Sequence, residues 1–185
     1  MKKLLVVTLV VLLLAGCGAV TTKTGIGNLV SVAKSTSATA DKAGLAQVDT
    51  VMAAVTFDSN NKILDVKIDN AQIKVNFDKE GKITTTLTDP NVVKTKVELG
   101  YAYGMKEKAP SKIGKEWFEQ IAELENWMVG KTVDEVKAMK VKKVDDAHPS
   151  VPDVEELKTK VTITVQDYIA CVEEALQNAN QGAAK

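Results

Sequence analysis

Residues 51–83 have the sequence VMAAVTFDSNNKILDVKIDNAQIKVNFDKEGKI, and this stretch decides the fold. Apolar residues occupy every second position in three runs, at 51–57, 64–68 and 73–77. The segments Asp58-Ser59-Asn60-Asn61 and Asp78-Lys79-Glu80-Gly81 supply residues that favour tight turns. Alternation with a period of two is typical of antiparallel strands that bury one face and leave the other in water. The stretch therefore predicts an antiparallel β-sheet built from hairpins.

The rest of the chain predicts further strands and then helices. The alternation continues through residues 83–87 and 93–99, which predicts two more strands. Apolar residues recur at helical spacing over 117–128, and Thr132 begins a capping-box pattern that predicts a helix to about Met139. A short strand is expected over 161–165, and a last helix follows with Thr164 as its N-cap candidate. Strands followed by helices indicate an α+β fold with the helices packed on one face of the sheet.

The N-terminus predicts a compartment. Lys2 and Lys3 precede an apolar run over residues 4–14, which is too short to span a bilayer and is typical of an export signal. The run ends in Leu-Ala-Gly-Cys17, which resembles a bacterial lipobox. We therefore expect a lipoprotein signal peptide over 1–16, diacylglycerol on Cys17, a lipidated tether over 17–28 and a domain over 29–180. The protein would then be held on the extracytoplasmic face of the membrane; an ordinary cleaved signal or a short membrane anchor is the alternative.

Composition excludes several classes of function. The chain has 24 basic and 24 acidic residues, and every basic residue is Lys. A nucleic-acid-binding protein normally carries a net positive face and uses Arg to contact bases, so no nucleic-acid partner is expected. The single His148 and two cysteines form no zinc-binding cluster, and no metal site is expected. Cys171 lies within the predicted last helix, where a small buried residue is the favoured interpretation. An autonomous enzyme is disfavoured because no acid, base and nucleophile converge.

One loop combines aromatic, small and basic residues. The segment Tyr101-Ala102-Tyr103-Gly104-Met105-Lys106 joins the predicted sheet to the helix over 117–128. Its tyrosines, glycine and lysine could accept a planar ring and an anion. The alternative is a structural crossover in which the tyrosines cover the sheet edge.

Several short motifs resemble the FMN-binding-domain family of bacterial extracytoplasmic lipoproteins. These are the lipobox, the hairpin turn Asp78-Lys79-Glu80-Gly81-Lys82-Ile83, the Tyr103-Gly104 loop, and Gly130-Lys131-Thr132 after a helix. In that family a Ser-Gly-Ala-Thr segment precedes the last helix, and its Thr hydroxyl can be esterified to the phosphate of FMN. Residues 159–162 align with that segment, and Thr162 takes the place of the modified threonine.

The resemblance implies a set of cofactor-binding residues. Thr162, Thr159 and Lys160 are candidates for the phosphate end of FMN, and Tyr103, Gly104 and Lys106 for the ring or phosphate side. Lys160 stands where the family has Gly, and Val161 where it has Ala. Lys160 is interpreted either as a point charge for a free phosphate or as a solvated strand residue, and covalent and non-covalent flavin both stay open.

The implied function is an extracytoplasmic electron carrier. In that case the partners are the membrane through the lipid anchor, a redox partner protein, and a flavin transferase that attaches FMN. No catalytic residue is expected in the chain itself, because the flavin does the redox chemistry. The alternative is a cofactor-free lipoprotein on the same scaffold, which acts as a binding or structural protein at the surface.

Overall fold

The computed structural model describes residues 21–108 and 113–182. The expected signal segment 1–16 and the lipidation site Cys17 lie outside these residues.

A three-stranded antiparallel sheet forms the centre of the molecule. Its strands are β1 (Lys23–Ser31), β2 (Gly44–Phe57) and β3 (Ile63–Phe77), which lie side by side in that order. The turn between β2 and β3 falls at the predicted position, because Asp58 Oδ1 accepts hydrogen bonds from the backbone of Asn60 and Lys62, both at 2.8 Å. The prediction of an antiparallel sheet within an α+β fold is confirmed.

One face of the sheet is buried under the last helix, α5 (Gln166–Gly182). Ala53 lies opposite Ile68 and Val55 opposite Val66, and all four side chains point into the core. Glycines let the first strand approach the helix backbone on this face. A Cβ placed on Gly27 would lie 1.9 Å from the carbonyl oxygen of Cys171. Cys171 itself is fully buried, as its place on a helix predicted.

Helix α3 (Trp117–Met128) lies along the free edge of β3. Glu125 Oε1 accepts a hydrogen bond from Ile68 N at 2.7 Å, so a helix side chain satisfies a strand donor that no neighbouring strand could reach. After the helix, Gly130 N donates to Ile63 O at 2.8 Å. The predicted helix over 117–128 is confirmed with the same bounds.

The connecting segments are short. They are a 3₁₀ helix (Pro90–Val93), α1 (Lys96–Leu99), a second 3₁₀ helix (Gly100–Tyr103), α2 (Met105–Lys108), α4 (Val133–Lys137), β4 (Val141–Lys142) and β5 (Val151–Pro152). The strands β4 and β5 form a separate antiparallel pair. Helix α4 begins at the predicted capping box, in which Thr132 Oγ1 accepts from Glu135 N at 3.3 Å.

Strand β1 corrects the expected tether. Residues 23–28 are not a tether, because they pair with β2 from Lys23↔Phe57 onward, and the ordered domain begins before residue 29. Gly25 and Gly27 gave this segment the composition of a linker. Their missing side chains instead let β1 pack against α5, which lends them a structural role that local composition does not reveal.

Three predicted strands are absent from the described residues. Over 83–87 the segment contacts the sheet through a bridge between Phe77 and Ile83 and a bond from Thr84 N to Asn76 O. Thr85 Oγ1 also accepts from Asn76 N at 2.7 Å and from its Nδ2 at 3.2 Å, but no continuous strand forms. Residues 93–99 form helical turns, because Thr95 and Glu98 make a reciprocal capping box. Residues 161–165 alternate in burial without pairing to any strand. In each case the period of two reflects partial burial of a connecting segment.

Candidate ligand site

Lys96 occupies an unusual position for a lysine. It begins the single turn of α1, and the residue as a whole is 8% exposed. Its Nζ lies 5.1 Å from the centre of the Tyr103 ring and 5.2 Å from the centre of the Trp117 ring. The ammonium forms no hydrogen bond or ion pair with any residue in the described part of the chain. Two aromatic faces therefore hold a buried cation that lacks an anionic partner.

Burial weakens the charge on this lysine. Removal from water lowers the pKa of Lys96 from 10.5 to about 8, and the nearby negative charge of Asp49 offsets part of this effect. Asp49 is already engaged, because Lys34 Nζ lies 2.8 Å from its Oδ2 and Gln47 Nε2 donates to its Oδ1 at 2.7 Å. Lys96 is therefore mostly charged at neutral pH and is available to an anion that enters from outside.

Lys96 lines a cavity of about 250 Å³ between the sheet, α3 and the start of α5. Two further polar groups on its wall lack partners. The side-chain oxygens Asn70 Oδ1 and Thr164 Oγ1 are buried and make no hydrogen bond. A buried polar atom without a partner costs roughly 1–3 kcal/mol, so two such oxygens beside an unpaired ammonium indicate a place where a bound molecule supplies the missing bonds.

The apolar wall of this cavity is aromatic. Trp117 Nε1 donates to Tyr168 Oη at 3.0 Å, and the two rings meet edge to face with centres 6.0 Å apart. Burial raises the pKa of Tyr168 to about 12, so this hydroxyl keeps its proton at neutral pH. Met105 and Ile163 also line the cavity. The wall offers a flat apolar surface next to the ammonium of Lys96.

Some of the charged residues at the rim of the cavity are paired with other side chains, and others are not. Lys34 is paired with Asp49, and His148 Nδ1 lies 2.8 Å from Asp145 Oδ1. The side chain of Asp167, in the first turn of α5, has no hydrogen bond or ion pair with any described residue. The site thus presents one unpaired cation, Lys96, and acceptors on Asn70 and Asp167.

The loop that the sequence singled out reaches this site through Tyr103. Its ring lies beside the Lys96 ammonium, which agrees with a binding role and equally with packing. Gly104 is buried and has a φ of 73°, a left-handed conformation that favours glycine. The backbone amides of Met105 and Lys106 donate to Glu116 Oε2 at 2.7 Å and Oε1 at 3.1 Å. A carboxylate of the protein therefore already occupies the amides that face inward from this loop.

Thr162 is also engaged within the protein. Its backbone N and its Oγ1 both donate to Gln120 Oε1, at 2.8 and 3.2 Å. Gln120 is fully buried, and its Nε2 donates to Met105 Sδ at 3.5 Å. This side chain joins the loop at Met105 to the segment at Thr162, so the structure brings the two predicted regions together through a structural contact.

Lys160 and Thr159 lie at the surface. Lys160 Nζ lies 3.1 Å from Glu123 Oε2, and Lys115 Nζ lies 2.8 Å from the other oxygen of the same carboxylate. The lysine charges hold the pKa of Glu123 below its usual value. Of the two interpretations of Lys160, the ion pair with Glu123 agrees with a solvated surface residue, although it is not part of a strand.

Three of the groups proposed for the phosphate of FMN are already engaged within the protein. The Thr162 hydroxyl, the Lys106 amide and the Lys160 ammonium are each bonded to an acceptor of the protein, and two of these acceptors are the carboxylates Glu116 and Glu123. A phosphate dianion placed among them would meet like charges at close range. The flavin cofactor stays a prediction.

Sequence reasoning missed the residues that line the cavity. Lys96 lies within the strand predicted over 93–99, yet the Thr95-to-Glu98 capping-box spacing is visible in the sequence and marks a helix start. Asn70 follows Val66 and Ile68 at the same period of two, which puts a polar amide on the buried face. A polar residue in an apolar register was the signal that could have identified this site.

Comparison with known proteins identifies no relative. No family model, no curated protein and no solved structure matches this chain. In the described residues no helix has the length and apolar character needed to cross a membrane. No three His, Cys, Asp or Glu side chains come together there in a way that could hold a metal ion.

Proposed function

We propose that this protein is a lipid-anchored binding protein on the extracytoplasmic face of the membrane, and that the cavity around Lys96 takes a small anionic molecule. The observation that carries the proposal is the buried, unpaired ammonium of Lys96 beside two buried polar oxygens without partners. A cavity of about 250 Å³ lies just under the range of roughly 300–1,000 Å³ typical of drug-sized ligands, so a small metabolite is expected. This proposal specifies the ligand site of the cofactor-free binding protein that the sequence offers as an alternative.

The two tryptophans allow a direct binding experiment. Trp117 lines the cavity, whereas Trp127 lies elsewhere under the Lys131 ammonium, 4.4 Å from its ring centre. The change Trp127→Phe also removes an indole N–H that is buried without an acceptor, so the fold should tolerate it. The full chain carrying this change, purified from membranes in detergent, then reports on the cavity through the fluorescence of Trp117 alone.

The probes are three classes of small molecule that carry an anionic group: inorganic phosphate, butyrate, and the free amino acids leucine and phenylalanine. The proposal expects a saturable change in Trp117 fluorescence with at least one class, lost in Lys96→Met. Lys79→Met is the matched control, because Lys79 is an exposed lysine of a hairpin turn, does not line the cavity and should leave binding unchanged. Absence of a response to all three classes, or equal loss in both lysine variants, would overturn the proposal.

The lipid anchor is tested separately. In cells that make the full chain, the protein should fractionate with membranes and carry a lipid mass on its mature N-terminal cysteine. Cys17→Ala should abolish the lipid mass, and Cys171→Ala should keep it, because Cys171 is fully buried in the core. A lipid-free wild-type N-terminus would contradict anchoring without bearing on the cavity.

The flavin electron carrier stays the competing prediction, and its test is optical. The chain is purified from cells that also make a flavin transferase, and its visible absorption is recorded before and after denaturation. Colour that survives denaturation and disappears in Thr162→Ala would establish covalent FMN, and colour lost on denaturation would establish bound, unlinked flavin. A colourless protein that takes up no added FMN would exclude both.

A further inference from the structure

The cavity around Lys96 has two poles of opposite hydrogen-bonding character. Lys96 supplies the positive pole, and it is the lysine of this cavity that lacks a partner, since Lys34 is paired with Asp49. Asn70 Oδ1 is an acceptor without a donor, and the residue is 6% exposed. The Asp167 carboxylate on the rim is a second acceptor that no described residue engages.

These poles narrow the ligand class. A simple carboxylate would pair with Lys96 and leave Asn70 Oδ1 without a donor. A phosphate would bring up to two negative charges toward Asp167, and a simple amine would be repelled by Lys96. A molecule that carries both a carboxylate and an ammonium group satisfies Lys96 with the first, and Asn70 and Asp167 with the second.

The volume of the cavity and its apolar wall narrow the class of ligand further. At roughly 30 Å³ per water molecule, about 250 Å³ corresponds to the space of about eight waters, which is room for a small organic molecule. Trp117, Tyr168 and Ile163 give the cavity an apolar wall against which an aliphatic or aromatic group can pack. Thr164 Oγ1, also buried without a partner, can donate to a carboxylate.

We propose that the cavity binds a free α-amino acid with an apolar side chain, with its carboxylate on Lys96 and its ammonium group on Asn70 and Asp167. This inference rests on the proposed function and specifies its ligand.

The test compares three molecules with the same branched carbon skeleton. Leucine carries both charged groups, 4-methylpentanoate lacks the ammonium, and 3-methylbutylamine lacks the carboxylate. Titrations follow Trp117 fluorescence in the Trp127→Phe chain. Loss of one charge-assisted hydrogen bond should weaken binding by about tenfold or more, so leucine should bind at least tenfold more tightly than either analogue.

A substitution at Asn70 tests whether its side-chain oxygen binds the ammonium group of the ligand. Asn70→Leu removes the amide acceptor and should reduce the preference for leucine over 4-methylpentanoate, while binding of 4-methylpentanoate itself is kept or improved. A misfolded variant would lose both ligands; Asn70→Asp, which keeps an acceptor, should retain the preference and serves as the second variant.

Equal affinity of the wild type for leucine and 4-methylpentanoate would overturn the inference and leave the anion site intact. Binding of phosphate or butyrate but of neither leucine nor phenylalanine would also overturn it, and no binding of any probe would overturn both proposals.

Discussion

The ammonium of Lys96 lies 5.2 Å from the centre of the Trp117 ring, so a charge at the start of α1 meets the first residue of α3 in the interior of the protein. A cation–π contact of this kind compensates for only part of the hydration free energy that a buried ammonium loses. The buried ammonium therefore lowers the free energy of unfolding of the ligand-free protein, and this loss can be measured.

Lys96→Met is expected to stabilise the empty protein while it abolishes ligand binding. A fall in pKa from 10.5 to about 8 corresponds to a penalty of about 3 kcal/mol for the charged form, because one pKa unit is about 1.4 kcal/mol. Urea unfolding at pH 7 should show a higher free energy of unfolding for Lys96→Met than for the wild type. Lys79→Met should differ little from the wild type, since its side chain is exposed. Destabilisation by Lys96→Met would show that the lysine supports the fold.

The pH dependence of the free energy of unfolding should also show the cost of burying Lys96. The folded pKa of Lys96 lies below its unfolded value, so the unfolded chain binds more protons between about pH 8 and 10.5. The contribution of Lys96 to stability is therefore unfavourable below about pH 8 and is relieved as the pH rises through this window. The wild-type minus Lys96→Met difference in unfolding free energy, measured from pH 7 to pH 10.5, should shrink toward zero. A constant difference would contradict the lowered pKa.

Ligand binding should have the opposite dependence on pH. Lys96 holds an anion only while it is protonated, so affinity should fall about tenfold per unit once the pH exceeds about 8. Binding titrations of the Trp127→Phe chain at pH 7, 8 and 9 measure this loss. The α-ammonium group of an amino acid also titrates above this range, and 4-methylpentanoate, which lacks it, isolates the effect of Lys96. Binding of 4-methylpentanoate that stays constant to pH 9 would place its carboxylate elsewhere.

Gly27→Ala tests the structural role of the segment first taken for a tether. The added methyl group would lie 1.9 Å from the backbone carbonyl oxygen of Cys171, which cannot move without displacing α5. We expect a loss of at least about 3 kcal/mol in unfolding free energy, because overlap with backbone in a packed core belongs to the severe class of substitutions. Gly182→Ala is the control, since nothing lies within 4 Å of its added methyl group. Equal stability of the two variants would restore the tether interpretation.

Glu116→Gln tests what holds the Tyr103–Lys106 loop. The carboxylate accepts from the amides of Met105 and Lys106 and also caps α3, and it is 2% exposed. Replacing it with a neutral amide should cost about 1–3 kcal/mol and speed hydrogen exchange at the two amides. Glu107→Gln, an exposed change in the same segment, should leave that exchange unchanged. Unaltered exchange in Glu116→Gln would mean that the loop is held by other contacts.

The sequence predicted regular elements where one local rule applied without competition. The alternation over 51–57 and the turn at Asp58 identify a hairpin, since both depend on the nearest neighbours along the chain. The helix over 117–128 follows from its apolar stripe in the same way. Where two rules competed, as at residues 93–99, the period of two suggested a strand, and the capping box of Thr95 and Glu98 decided for a helix.

By itself, the sequence determined the α+β class, the antiparallel hairpin and the amphipathic helices, because periodicity and turn chemistry act over a few residues. Only the tertiary structure decided that Gly27 belongs to a strand and that Thr162 is held by Gln120. It also decided that Lys96, Asn70 and Thr164 share one cavity. Asn70 and Thr164, which both line this cavity, are 94 positions apart in the sequence. A polar atom is buried without a hydrogen-bond partner only as a result of how distant segments pack together. No local sequence pattern predicts this outcome.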